Sequence, residues 1–227
     1  MVNELKILCV LKTGGDYSAK YVSALQMSVD KYIFGKYKFI CLTDDSKVNF
    51  CNTLSLGNKW KGWWSKIEIF TITGPSIYFD LDTVVVGDLT SYIQYIRALN
   101  TDEFIGVRAF NPIRNKFPET KFNSGVMGWN GDFKFVYDKF DYSVDSVNRK
   151  FCGDQDYISK SLRDNNVKIK FWQDKVKGLY SYKRQIRPLK DNLPKNASVV
   201  CYHGTPRPHQ VIHLPWMQEW RKAYCEK

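Results

Sequence analysis

No run of apolar residues in the 227-residue chain approaches the roughly 20 needed to cross a bilayer. The early stretch Ile7–Leu11 is too short, and too closely flanked by lysines, to read as a secretory signal. Both point to a cytoplasmic protein with at most peripheral membrane contact. Metal-site spacing of cysteine is also missing: Cys9, Cys41, Cys51, Cys152, Cys201 and Cys225 form no CxxC pair, and several sit in strand-like apolar runs, so reduced thiols are expected. Internal repeats, low-complexity tracts and interdomain linkers are lacking, which leaves one domain as the simplest organisation. Zinc-finger, RRM and basic-helix signatures are absent and the lysines are scattered, which argues against nucleic acid as a partner. Histidine is scarce, with only three, at 203, 209 and 213.

What the chain does have is 44% hydrophobic and 15% aromatic residues, ample for a packed core, and a net charge of +11 that favours anionic partners such as nucleotide phosphates. Leu5–Leu11 reads as a strand ending in a Thr13-Gly14-Gly15-Asp16 turn, Ser18–Phe34 as an amphipathic helix, and Tyr37–Leu42 as a second strand. Gly62–Phe70 reads as a helix leading into a strand from Ile77, so the order is that of an α/β fold with a mostly parallel central sheet flanked by helices. Phe104–Ala109 and the segment after Asn123-Ser124-Gly125 follow as strands, Asp154–Leu162 as a helix, and Val199–Tyr202 as a short strand. Lys175–Lys195, with Lys177, Lys183, Arg184, Arg187 and Lys190 and with Pro188 and Pro194, reads as an irregular, mobile basic loop.

In IYFDLDTVVVGDL, residues 77–89, two carboxylates interrupt a β-branched run. Alternate positions on a strand share a side, so Asp80 and Asp82 could offer oxygen ligands to one hard cation; a polar strand end is the plainer alternative. In parallel sheets ligands bind beyond the carboxyl ends of strands, where Thr13–Tyr17, Asp44 and Asp80–Asp82 all fall. A carboxylate such as Asp154 is favoured near a helix N-terminus whether or not it has a further role. Trp60, Trp63 and Trp64 read as core before they read as an acceptor platform, and His209 and His213 as surface or structural residues.

The ordered series of the Thr13–Tyr17 loop, Lys66, Asp80-Leu81-Asp82, Phe122-Asn123-Ser124-Gly125-Val126, Gly153-Asp154-Gln155 and His203 with Arg207-Pro208 resembles the GT-A fold glycosyltransferases, most closely the glycogenin-like enzymes. The resemblance implies a single Rossmann-like GT-A domain, with residues 1–90 as a nucleotide-binding half ending in the DxD strand and 91–227 as the sugar and acceptor half. It implies Mn²⁺, or Mg²⁺ in its place, held by Asp80, Asp82 and His203, a UDP-sugar donor, and a glycan or glycoprotein acceptor. Thr13, Asp16, Tyr17, Asp44, Lys66, Leu81, Asn123, Ser124, Gly204 and Arg207 would contact the donor, and Asp154, Gln155 and Lys66 would act in catalysis. One departure from the family pattern is the short spacing from His203 to Arg207, where relatives place a lysine slightly later. FDLDTVVV also resembles the first motif of haloacid-dehalogenase-type phosphatases, although it falls some 80 residues into the chain; a non-catalytic nucleotide-sugar or glycan-binding module is the other alternative.

Overall fold

The computed structural model describes residues 4–116, 121–141 and 150–225. Its centre is a seven-stranded sheet in the order β3-β2-β1-β4-β7-β6-β8, built from β1 (Leu5–Leu11), β2 (Tyr37–Thr43), β3 (Asn52–Ser55), β4 (Ser76–Phe79), β6 (Glu103–Arg108), β7 (Phe122–Trp129) and β8 (Lys168–Phe171). The half from β3 to β4 is parallel, β7 runs antiparallel to both β4 and β6, and β8 returns parallel to β6. The sequence explains the arrangement: β1 is apolar and almost wholly buried, as a central strand must be, whereas Asn-Thr-Leu-Ser of β3 is exposed along its length and closes the edge.

Both faces of the sheet are covered, giving two apolar clusters. On one, α1 (Ala19–Tyr32), α2 (Thr90–Ala98) and the C-terminal helix, α4 (Gln218–Cys225), pack together. Tyr21 on α1 meets Trp220 and Tyr224 edge-on, each at 5.4 Å between ring centres. The other face carries Trp64, Phe70, Trp129 and Phe133 with α3 (Asp154–Asp164). In β6, Gly106 sits where the β6–β7 register shifts; a methyl there would lie 2.3 Å from the Phe122 ring, so only glycine lets that ring cross the strand.

Three sequence expectations change. Gly62–Phe70 is a 3₁₀ run, Gly62–Thr71, not an α-helix. The run from Ile77 is not one strand: β4 stops at Phe79, Thr83 N–H closes a turn onto the Asp80 carbonyl (2.9 Å), and β5 (Thr83–Val85) joins a second sheet. That sheet, β5-β10-β9, contains β10 (Val199–Cys201) antiparallel to β5 and β9 (Leu179–Ser181) parallel to β10. The Lys175–Lys195 stretch therefore is not irregular: beyond β9 it coils through a π turn, Tyr182–Ile186, whose Tyr182 and Ile186 are buried, with Tyr182 stacked on Tyr202 at 4.6 Å. Most of its charged side chains face outward, while Val176, Leu179, Tyr182 and Ile186 complete the core.

Candidate active site

Where β1 and β4 end, a cavity of about 450 Å³ opens, and Asp16, Tyr17, Lys66, Asp80, Leu81, Asn123, Ser124, Asp154, Gln155 and Arg207 all line it. At its heart lies a buried ammonium. Lys66 Nζ is 2.8 Å from Asp80 Oδ1, 2.8 Å from Asp154 Oδ2 and 3.1 Å from Ser124 Oγ, which itself donates to Asp154 Oδ2 at 2.6 Å. Tyr78 OH donates to Asp80 Oδ1 at 2.6 Å. Burial works against the charge on Lys66, but Asp154 and Asp80 outweigh it and raise its pKa, so the ammonium form is secure. Asp80 is placed by the backbone as well: its N–H donates to the Gly125 carbonyl on β7 at 2.8 Å.

Asp82, two residues on, points elsewhere. Its Oδ2 accepts from Tyr17 OH at 2.9 Å and lies 3.6 Å from Arg207 Nη1, while Arg207 also bonds Tyr17 OH and Asp16. Burial, then the nearby Asp80 charge, push the Asp82 carboxyl up to about 7 against the opposing pull of Tyr17, Lys66 and Arg207. The alternation expected of one strand is therefore not what brings the two carboxylates near each other; the turn between the sheets does.

At the β1–β2 edge, Asp44 Oδ1 accepts from Thr13 N–H at 2.8 Å, its Oδ2 accepts from Thr13 Oγ1 at 3.0 Å, and Lys12 pairs with the same oxygen. Thr13 and Asp44 thus hold each other, and Lys12 presents their charge balance to the cavity. On the opposite wall Asn123 Nδ2 donates to Gln155 Oε1 at 3.1 Å. Asp156 faces away from the cluster and pairs with Arg114.

His203 follows β10, which pairs with β5, so the small sheet carries it toward the Asp80–Asp82 turn; Tyr202 N–H bonds the Asp82 carbonyl at 3.1 Å. Its Nε2 is 2.6 Å from Ser181 Oγ, and its ring stacks on Phe110 at 5.6 Å. Burial, with Lys183 and Arg184 nearby, lowers the His203 pKa and favours the neutral imidazole. Gly204 has φ +76, which suits glycine, and Lys183 Nζ stands 3.5 Å from where its side chain would begin. Among the described residues, no three His, Cys, Asp or Glu side chains converge closely enough to hold an ion. The donor types nevertheless suit a hard divalent cation: two carboxylates and an imidazole held neutral. Tyr17, Arg207, Lys66 and Ser181 are their present partners.

Sequence reasoning missed Lys12, Tyr78 and Arg114. Lys12 has a signal, its place between β1 and the Thr13 loop; Tyr78 and Arg114 have none, since each is ordinary for a strand or a surface. Of the tryptophans in the 60–64 stretch, Trp60 and Trp64 are buried as expected, whereas Trp63 is exposed on the cavity rim.

No protein-family profile matches the chain, and no curated protein does. Solved structures do match. The glycosyltransferase GlyE of Streptococcus pneumoniae TIGR4 superposes with a TM-score of 0.65 at 14% identity, covering 98% of this chain and 62% of GlyE. The galactosyltransferase LgtC, solved in complex with donor and acceptor sugar analogs, matches at TM-score 0.60 and 12% identity over 97% of this chain and 95% of LgtC. Mouse xyloside xylosyltransferase 1 matches at TM-score 0.54 and 10% identity over 90% of this chain and 98% of its own. The chain thus spans less than two thirds of GlyE but nearly all of LgtC. Its fold is the GT-A glycosyltransferase fold.

Proposed function

We propose that the chain is a metal-dependent glycosyltransferase that moves a sugar from a nucleoside-diphosphate donor, a UDP-sugar first among them, to a glycan or glycoprotein acceptor. The observation that carries this is the Lys66–Asp80–Asp154–Ser124 cluster lining a cavity at the strand ends of a GT-A fold. It joins the aspartate of the DxD turn to the aspartate of Gly153-Asp154-Gln155 through one buried cation.

In this reading Tyr17 and Asp16 meet the nucleoside, with Thr13 and Asp44 bracing that wall. Arg207, a planar fork already facing Asp16 and Asp82, takes diphosphate oxygens, with Gly204 allowing close approach. Asp80, Asp82 and His203 would hold Mn²⁺, or Mg²⁺ in its place. Bound there, the ion would offset the charge of the departing diphosphate. Asn123, Ser124 and Leu81 border the donor sugar, and Gln155 offers its amide to sugar hydroxyls.

Transfer breaks the bond between the anomeric carbon and the diphosphate oxygen, which keeps the electron pair, and forms a bond to an acceptor hydroxyl, which gives up its proton. Lys66 places one positive charge between the Asp80 and Asp154 carboxylates. Asp154 can then face the positive charge growing on the sugar, orient the acceptor hydroxyl or accept its proton.

Thermal shift with UDP, GDP and CMP, each with and without Mn²⁺, tests the proposal. A ligand at 100 times its Kd adds about 2.7 kcal/mol of stability. For a chain of this size that is a rise of roughly 5–10 °C. UDP with Mn²⁺ is expected to give that shift and Asp82→Ala to abolish it. No shift with any nucleotide overturns the reading.

A further inference from the structure

Six of the seven tryptophans are engaged with other rings: Trp60 and Trp64 on Phe140, Trp129 on Phe104, Trp172 on Tyr92, Trp216 on Tyr182 and Trp220 on Tyr224. Trp63 is the exception. Among the described residues no ring stacks on it and no hydrogen bond engages it, and 58% of its surface is open although it lines the cavity. Its neighbour in the chain, Trp64, is only 4% exposed, and the run from Trp64 to Phe70 is buried, so Trp63 projects from an anchored segment. Gly62, at φ +57, turns the chain into the 3₁₀ run so that Trp63 stands at its start; nothing crowds that glycine, and the backbone angle is what requires it.

The position along the site is specific. Contacts run from Arg207 to Asp82, from Asp80 to Lys66, and from Lys66 to Asp154. A Cβ on Gly153, the residue before Asp154, would stand 4.0 Å from Trp63 Nε1. The indole edge thus lies beside the start of α3, at the residue before Asp154 and at the other end of this contact series from Arg207. On the transferase reading, nucleotide and diphosphate take the Arg207 end and the donor sugar the Lys66–Asp154 centre. The place beyond Asp154 is then where the acceptor must present its hydroxyl.

We propose that Trp63 is the platform on which a pyranose ring of the acceptor stacks, so that the acceptor is a sugar and not a bare peptide or lipid hydroxyl. A flat indole open on one face accepts the C–H face of a pyranose, and its Nε1–H can donate to a ring substituent. Aromatic surface beside a few convergent polar groups is the usual makeup of a ligand site, and here Gln155 and Asp154 line the same cavity as the indole.

The proposal rests on the transferase reading, and one experiment separates the two. Lactose, maltose and cellobiose are titrated into the full chain, with and without UDP and Mn²⁺, and followed by ligand-observed NMR and tryptophan emission. At least one disaccharide is expected to bind in the millimolar range. Trp63→Ala should weaken that binding at least tenfold, Trp63→Phe less than threefold, and neither should change UDP affinity. Because the side chain is mostly exposed, melting temperatures should stay within a few degrees; Trp63→Gln gives the same comparison if the alanine variant is unstable. Unchanged sugar binding in Trp63→Ala, no binding of any of the three to the wild type, or a loss confined to UDP overturns the platform. Sugar binding that depends on Trp63 in a protein that never binds UDP would leave the platform standing and defeat the transferase reading.

Discussion

Replacing Lys66 by methionine should be the most damaging single change to the buried site. The methionine fills a similar volume but leaves Asp80 and Asp154, both 2.8 Å from the lost ammonium, facing each other without a counter-charge. Removing one partner of a buried pair costs about 3–5 kcal/mol. Asp154 is well enclosed, with 12% of its side chain accessible, but Asp80 keeps 29%, so water screens part of the repulsion. The lower end, about 3 kcal/mol, is therefore the expected loss, or roughly 6–12 °C in melting temperature. Urea titration of wild type, Lys66→Met, Asp154→Asn and the double variant measures it, provided the slopes agree. The double variant should be more stable than Lys66→Met, because one of the two stranded charges is gone. A melting point within about 2 °C of wild type for Lys66→Met, or strictly additive losses across the cycle, would refute the coupling.

Asp154→Asn should lower donor turnover by about a hundredfold or more in a product-release assay, whereas Asp156→Asn, whose carboxylate meets Arg114 instead of the cavity cluster, should stay within about tenfold. Asp88 Oδ1 accepts from Thr90 N–H at 2.8 Å and from Thr90 Oγ1 at 2.6 Å at the start of α2; Asp88→Ala should cost about 1 kcal/mol in urea unfolding at pH 7. Those bonds hold the Asp88 pKa below its ordinary value, so its contribution is present above the unfolded pKa and lost as pH falls through the folded one; the gap between variant and wild type should close in acid. Gly178→Ala should destabilise by roughly 2 kcal/mol or more in the same assay, since its φ is +96 and the new methyl would meet the Asn196 carbonyl at 2.4 Å.

Much of the large sheet was legible because its signals are local. The apolar run of β1, the helical period of α1 and the run of β2 each declare themselves within a few residues. The small sheet was not, because β5 is decided by pairing with β10, whose Val199 lies opposite Val85 more than a hundred residues earlier. That pairing breaks the Ile77 run at Asp80, so the two aspartates could be recognised as a pair while the means of bringing them together could not. The same holds for β9: its basic neighbours masked an apolar Leu179, Tyr182 and Ile186 that only the facing core explains. In the site, the ordered series named Lys66, Asp80, Asp154 and Arg207, and all four line one cavity. Tyr78, Arg114 and the separation of Trp63 from Trp60 and Trp64 depend on side-chain direction, which residue spacing alone does not reveal.

An ammonium has three protons to give, and Lys66 has given all of them: to Asp80 Oδ1, Asp154 Oδ2 and Ser124 Oγ. None is left over for an incoming oxygen. Any sugar hydroxyl or phosphate that bonds this lysine must therefore evict one of those three acceptors, and binding there is an exchange, not an addition. Ser124 is the neutral and most distant of them, at 3.1 Å, and so the cheapest to displace. Its hydroxyl would keep its own bond to Asp154 as it left, handing the lysine over without disturbing either carboxylate.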